Sequence, residues 1–130
     1  MALIVDPNQF VATEQATSSA GGAVTLTVAA VPGKRHAITN ILIMRAAGAA
    51  VTGSATLSIT TTNLPDSMAW AVGNLMAAGG TQIDVNVSYN PPLISNVANT
   101  ATTIVMPDAD GAGTSVVWTG QVNYYLVPEL

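Results

Sequence analysis

The sequence predicts an all-β fold, a jelly-roll-like antiparallel β-sandwich of about eight strands with an extended N-terminal arm. Short segments that alternate apolar and polar residues recur along the chain, with turns rich in Gly, Pro, Asn and Asp between them, and this spacing is typical of sandwiches and barrels. No segment shows the apolar stripe of an amphipathic helix. Charged residues make up 8% of the chain, against about 25% in an average soluble domain. Thr and Val, which favour strands, are abundant instead.

The chain of 130 residues has the length of one domain, which we divide into an N-terminal arm, residues 1–22, and a sandwich domain, residues 23–130. Residues 1–22 lack the alternating pattern after a short apolar start. They are interpreted either as a frayed terminus or as an arm that leaves the domain and contacts a neighbouring subunit. The side chains that would anchor such an arm are apolar: Leu3, Ile4, Val5 and Phe10. The start of the sequence lacks the basic residues of a signal peptide.

The predicted strands follow from the alternation of apolar and polar residues. They cover residues 23–30, 36–45, 56–62, 68–72, 81–88, 100–106 and 115–126. The strand at 36–45 is apolar on both faces in its middle, which predicts a central position in a sheet. In the strand at 81–88, alternation places Ile83 inward and Asp84 on the polar face. Residues 89–93 contain two consecutive prolines and are predicted to be a loop, and Gly120 is predicted to mark a bend or bulge.

All three basic residues, Lys34, Arg35 and Arg45, and the only histidine, His36, lie in residues 31–45. A net charge of −4 with three cations excludes the basic stripe that nucleic-acid binding needs. No stretch of about 20 apolar residues that could span a membrane is present. The chain has no cysteine, so it can form neither a disulfide nor a thiolate metal site.

The side chains that carry catalysis in known enzyme classes do not form a recognisable pattern. No G-x-S-x-G motif accompanies His36, which we interpret as a residue that packs or bonds to the backbone. Asp66 and Asp84 each fit a local role, in a turn and on a strand, rather than the carboxylate pair of a glycosidase. We therefore expect no enzymatic activity, no catalytic residue, no cofactor and no metal.

Two weaker alternatives for ligand binding remain open. Asp108 and Asp110 begin a segment that resembles a calcium loop, but its glycine comes too early and no acid stands at the twelfth position. We interpret this segment as a turn and leave a weak cation site open. The aromatic residues could form a carbohydrate platform, although in small β domains they more often fill the core or anchor interfaces. They are Trp70, Trp118, Tyr89, Tyr124 and Tyr125.

Several segments taken together resemble a known family. The segments, in order, are PGKRHAITNI at 32–41, a strand that contains Trp70, PPLISNVANTATTI at 91–104 and TGQVNYY at 119–125. This order, which extends over residues 23–126, resembles small β-sandwich proteins encoded among the virion genes of tailed bacteriophages. Similar patterns occur in capsid decoration (cement) proteins with jelly-roll folds.

The resemblance implies a structural subunit without catalytic residues. Such a subunit is made in the host cytoplasm, forms a homotrimer or homodimer, and binds the major capsid protein on the outer capsid surface of the virion. The interface residues that we expect are those of the arm, Leu3, Ile4, Val5 and Phe10, and the basic residues Lys34, Arg35 and Arg45. The alternative is a receptor- or glycan-binding tip or fibre module with the same fold, which would use exposed loops near Trp70 or Tyr89.

Overall fold

The computed structural model describes residues 11–52, 56–108 and 115–129. These residues form eight β-strands in two antiparallel four-stranded sheets, so the predicted all-β sandwich is confirmed. In chain order the strands are β1 Ala12–Thr17, β2 Val24–Val28, β3 Lys34–Ala47, β4 Thr56–Thr62, β5 Ala69–Gly73, β6 Thr81–Ile94, β7 Thr102–Met106 and β8 Val116–Pro128. A short 3-10 turn, Pro65–Ser67, precedes β5. No helix in the described ranges is long and apolar enough to cross a membrane.

Strand pairing is nested around the middle of the chain. Sheet A has the order β1-β8-β3-β6, and sheet B has the order β2-β7-β4-β5. The first strand therefore pairs with the last, the second with the seventh, the third with the sixth and the fourth with the fifth. A single long hairpin folded over into two sheets has this pairing. As predicted, β3 is central, because it lies between β8 and β6.

The core lies between the two sheets and is built from the apolar residue of each alternating pair. In β2 and β4 the buried positions are those that the period of two predicts. Burial of such side chains contributes about 1.5–3 kcal/mol each. The buried members of the main cluster come from all strands except β1: Leu26, Val28, Ile38, Ile41, Ile43, Leu57, Ile59, Leu64, Val72, Val85, Ile104, Met106, Trp118 and Val122.

The first strand corrects the boundary of the predicted arm. Ala12–Thr17 pairs with β8 along its whole length, from Ala12 opposite Tyr124 to Thr17 opposite Thr119, so this part of residues 1–22 belongs to sheet A. Every residue of β1 is exposed or half-buried. This edge strand therefore buries little apolar surface and is held mainly by its backbone hydrogen bonds to β8. Such a strand shows no clear alternation. The anchor residues Leu3, Ile4, Val5 and Phe10 lie outside the described residues.

The proline segment also departs from its prediction. β6 continues through residues 89–93 to Ile94, so this region is strand rather than loop. The pairing with β3 jumps there, from Ser88 opposite Asn40 to Leu93 opposite Ile38. Within the described residues β6 pairs with β3 alone, and an edge strand tolerates prolines because its outer side has no ladder to break.

Gly120 provides close packing rather than the predicted bend. Its pairing with Ile43 and with Ala16 is regular. A Cβ atom at this position would lie 2.9 Å from Met106 Cε and 3.3 Å from Leu26 Cδ1. The missing side chain therefore lets residues of sheet B pack directly against the backbone of β8.

Candidate functional site

The residues singled out by the sequence lie at the two ends of β3. Lys34, Arg35 and His36 occupy its first three positions, and Arg45 lies near its far end. Eleven residues of extended chain separate Lys34 from Arg45, which corresponds to roughly 35 Å. The three cations therefore cannot form one patch.

Arg45 is the centre of a buried polar group that we call the arginine corner: Arg45, Asp84, Gly73, Asn74 and Trp118. The guanidinium group donates from Nε to Asp84 Oδ2 at 2.6 Å and from Nη2 to Asp84 Oδ1 at 2.8 Å. Nη2 also donates to the carbonyl of Gly73 at 2.7 Å. Its Cζ lies 5.0 Å from the centroid of the Trp118 ring, within cation–π range. Both charged side chains are 0% exposed.

This burial overturns the prediction that Arg45 is an interface residue. It also reverses the predicted faces of Ile83 and Asp84. Ile43 pairs with Val85 while Met44 pairs with Ile83, so β6 carries one extra residue, Asp84, at a bulge. The bulge directs the Asp84 carboxylate inward to Arg45 and leaves Ile83 60% exposed.

The arginine corner also contains polar atoms without a protein partner. Arg45 Nη1 and both side-chain atoms of Asn74, Nδ2 and Oδ1, are buried and have no hydrogen-bond partner among the residues that the structure describes. Asn74 directly follows Gly73, whose carbonyl accepts a hydrogen bond from Arg45. Buried polar groups are normally satisfied, so this corner includes groups whose burial opposes folding.

His36 is the centre of the opposite group, the histidine corner: His36, Ala29, Ser95, Thr102 and Tyr124. Nε2 lies 2.9 Å from the carbonyl oxygen of Ala29, which can only accept, so Nε2 carries the hydrogen. Nδ1 forms a hydrogen bond of 2.7 Å with the Thr102 hydroxyl, a group that can donate or accept. The backbone N–H of His36 donates to Ser95 Oγ at 2.9 Å. The prediction that His36 bonds to the backbone is confirmed.

Lys34 and Arg35 are the basic residues that remain partly accessible. Arg35 borders a hollow with a volume of about 360 Å³, whose described lining also includes Ile94, Val127 and Pro128. The described walls are apolar except for the guanidinium group. Within the described ranges, Arg35 Nε is buried and has no hydrogen-bond partner.

The outer faces of both sheets carry hydroxyl and amide groups. On sheet A, Thr13 donates to Asn123 at 2.9 Å across the β1–β8 pair. On sheet B, the hydroxyls of Thr62 and Thr103 lie 2.7 Å apart. Of the charged residues in the described strands, Arg45 and Asp84 have buried side chains, and Glu14, Lys34 and Arg35 are half-buried.

The aromatic residues divide between core and surface. Trp118 is 0% exposed, whereas Trp70 and Tyr89 are half-buried against the core. Burial raises the pKa of Tyr89 above its usual value of 10.0. Burial also raises the pKa of Tyr124, and the negative charge of Glu14 raises it further.

The open question of a cation site concerns the turn before β8. Asp108 is exposed, and Asp110 lies outside the described residues. Among residues 11–52, 56–108 and 115–129, no group of three or more His, Cys, Asp or Glu side chains is placed to hold a metal ion.

Comparisons with known proteins add no identification. The chain matches no protein-family profile. No curated protein sequence matches it significantly.

Proposed function

We propose that this chain is a structural virion protein that binds the outer capsid surface and stabilises the shell by bridging neighbouring capsid subunits. The observation that carries the proposal is the chemistry of the outer strand surfaces, which carry hydroxyl and amide groups and almost no charge. Surfaces with so few charged groups favour association, and the cores of protein interfaces are depleted in charged residues. The nested pairing of eight strands supports the jelly-roll-like fold of the decoration proteins that the sequence resembles.

The proposed mechanism is mechanical. A subunit that buries surface across the joint between neighbouring shell proteins must be released before the joint can open. Because it binds assembled particles and not separated subunits, its binding energy stabilises the particle by mass action. The partner is the major capsid protein, and the subunit acts as a homotrimer or homodimer. The contacts are made by Lys34, Arg35 and the apolar residues of the N-terminal segment.

The proposed role needs no catalysis and no cofactor. His36 and Arg45 have the side chains best suited to catalysis or ligand binding. Both side chains are instead bonded to other residues of the fold. His36 joins β3 to Ala29 and Thr102, and Arg45 joins β3 to β6 and β5. We propose that both residues serve the stability of the subunit, which keeps its contact surfaces in place.

The test is binding to particles assembled from the cognate major capsid protein. The purified chain should sediment with these particles and raise the temperature at which they rupture. A Lys34→Ala/Arg35→Ala double variant should fold with the same thermal melt but bind at least tenfold more weakly. The matched control is Thr25→Ala/Thr27→Ala on the outer face of sheet B. Absence of co-sedimentation, or an unchanged rupture temperature with saturating protein, would refute the proposal.

A receptor- or glycan-binding module is the second candidate, because Trp70 and Tyr89 are only half-buried and stacking on exposed aromatic rings is a common mode of ligand recognition. Under this alternative the chain gives reproducible hits on a glycan array. Those hits disappear in Trp70→Ala or Tyr89→Ala variants that remain folded. Capsid binding without glycan hits would decide for the first proposal.

A further inference from the structure

The outer face of sheet A carries apolar side chains where β3 runs beside β6. Ile83 is 60% exposed and Met44 is 36% exposed, and the two residues lie opposite each other in the β3–β6 ladder. Leu42 and Ala46 lie on the same face, two positions to either side of Met44, and Val117 of β8 pairs with Ala46. We call these five residues the sheet A patch. Neighbouring exposed apolar residues of this kind mark interaction surfaces.

The bulge in β6 generates the most exposed member of this patch. Regular alternation would place Ile83 on the buried face together with Val85. The extra residue, Asp84, instead directs its carboxylate to Arg45 and turns Ile83 to the outer face. The same bulge therefore pairs a buried charge and exposes a large aliphatic side chain.

The outer face around the patch carries no charged side chain in the described strands. Glu14 lies opposite the buried Val122, and the side chains of Arg45 and Asp84 are buried. Arg35 precedes Met44 by nine positions, which is roughly 30 Å along β3. The residues that border the patch have amide or hydroxyl groups: Asn40, Thr81, Asn86, Ser88, Thr119 and Gln121.

The absence of charge on this part of the described surface indicates the partner. An acidic or basic partner finds no opposite charge here, whereas a second copy presents the same uncharged surface. The chain has a net charge of −4, so two copies repel each other, least of all where the facing surfaces are uncharged. A patch that meets its own copy around a twofold axis is complementary to itself. We propose that the sheet A patch is the contact between two copies of this chain, packed face to face.

Packing of faces is favoured over pairing of edges. In the described part of the chain β6 forms one edge of sheet A, which offers a second way to associate. The bulge at Asp84 and the prolines at positions 91 and 92 interrupt this edge. Bulges and prolines are features with which natural sheets prevent edge-to-edge pairing. Contact between the faces also buries Ile83 and Met44, which edge pairing would leave accessible.

The size of the uncharged region indicates a reversible dimer. It spans four strands and about seven residues, on the order of 400 Å², which is about half the area that each partner of a standard interface buries. We therefore expect a dissociation constant in the micromolar range. The inference rests on the proposed function in one respect, because it supplies the interface of the proposed homodimer. Lys34 and Arg35, at the other end of β3, remain free for capsid contacts.

Sedimentation velocity from about 1 µM to 1 mM tests the dimer. The parent chain should change from monomer to dimer over this range. Ile83→Lys should weaken dimerisation at least tenfold, because like charges would meet across the twofold axis. Thr60→Lys, which places the same charge on the exposed outer face of sheet B, is the matched control and should dimerise like the parent. A parent that stays monomeric, or equal effects of the two variants, would overturn the proposal.

Opposite charges at the same position give a test that a folding defect cannot imitate. Ile83→Lys and Ile83→Glu should each be monomeric alone and should form a heterodimer when mixed, because the two patches face each other. The mixture of Thr60→Lys with Thr60→Glu should behave like the parent. No gain in dimer on mixing the Ile83 variants would place the contact elsewhere and overturn the proposal.

Particle binding separates this inference from the proposed function. Ile83→Lys should still bind capsids through Lys34 and Arg35, but more weakly, because one contact replaces two linked ones. A monomeric parent that binds particles would overturn the dimer and leave the proposed function intact. A dimer that depends on Ile83 but binds no particle would support the dimer and refute the capsid role. A monomeric parent that loses particle binding in Ile83→Lys would overturn the dimer and assign the patch to the capsid protein.

Discussion

The two ends of β3 bury polar side chains in opposite ways. At the histidine corner each nitrogen of the buried ring has one hydrogen-bond partner. At the arginine corner the buried group is charged and pairs with one carboxylate, and three polar atoms of this corner have no hydrogen-bond partner in the described part of the chain. Loss of a partner at the first corner removes a hydrogen bond, but at the second it leaves a buried charge. The same strand therefore contains one tolerant and one fragile polar site.

The largest effect is expected when the arginine corner loses its carboxylate. Asp84→Ala should lower the free energy of unfolding by about 3–5 kcal/mol, because the Arg45 charge stays buried without compensation. Urea denaturation at neutral pH measures this loss. Asp66→Asn, which removes an exposed charge and keeps a side chain that tolerates the positive φ of Asp66, is the control and should change stability by about 0.5 kcal/mol or less. A similar loss in both variants would show that Arg45 does not depend on Asp84.

A smaller effect is expected at the histidine corner. His36→Phe keeps a ring of similar size but leaves the Ala29 carbonyl and the Thr102 hydroxyl without their partner. The free energy of unfolding should fall by about 1–3 kcal/mol, less than in Asp84→Ala under the same urea conditions. If His36→Phe were the more damaging change, the contrast between the two corners would be reversed.

Removal of the whole ion pair should have less effect than removal of one partner. In Arg45→Met/Asp84→Leu no charge remains buried, and such replacements are often neutral or stabilising. The double variant should recover most of the stability lost in Asp84→Ala, and thermal unfolding of both variants checks this. An additive loss, with the double variant no better than Asp84→Ala, would mean that Arg45 stabilises the fold through Trp118 and Gly73 alone.

The smallest effect concerns alkaline pH at the histidine corner. Burial, and then the charge of Glu14, raises the pKa of Tyr124 above its usual value. The folded state therefore holds this proton more tightly than the unfolded state. The resulting stability is fully present below pH 10 and is lost as the pH rises through the folded pKa. Tyr124→Phe should flatten the decline of the unfolding free energy that begins near pH 10. An identical decline in the parent and in Tyr124→Phe would contradict this assignment.

Alternation of apolar and polar residues was sufficient to predict most of the fold. It identified β2 and β4, where burial follows every second residue. The apolar residues on both faces of 36–45 predicted the central position of β3. It failed at Asp84, where one extra residue in β6 reverses the faces. A bulge is defined by the pairing with the partner strand, so the alternation within one segment cannot reveal it.

The sequence predicts a functional residue only where the residues around it in the fold are also close to it in sequence. The segment with Lys34, Arg35 and His36 was found because all cations and the histidine are close in sequence. The burial of Arg45 was missed because its partners, Asp84 and Gly73, come from distant strands. The role of Gly120 was missed for the same reason, since the atoms that occupy its side-chain space belong to sheet B.

The pairing of the first strand with the last has a consequence for biosynthesis. The hydrogen bond from Thr13 to Asn123 connects residues 110 positions apart, and the backbone of Trp118 bonds to Ser18 across 100 positions. Synthesis must therefore reach β8 before sheet A can close. Until then the apolar strand β3 lacks its β8 neighbour and stays exposed on that side. Folds with such distant contacts also form slowly. Newly made chains should accordingly need protection from aggregation until β8 leaves the ribosome.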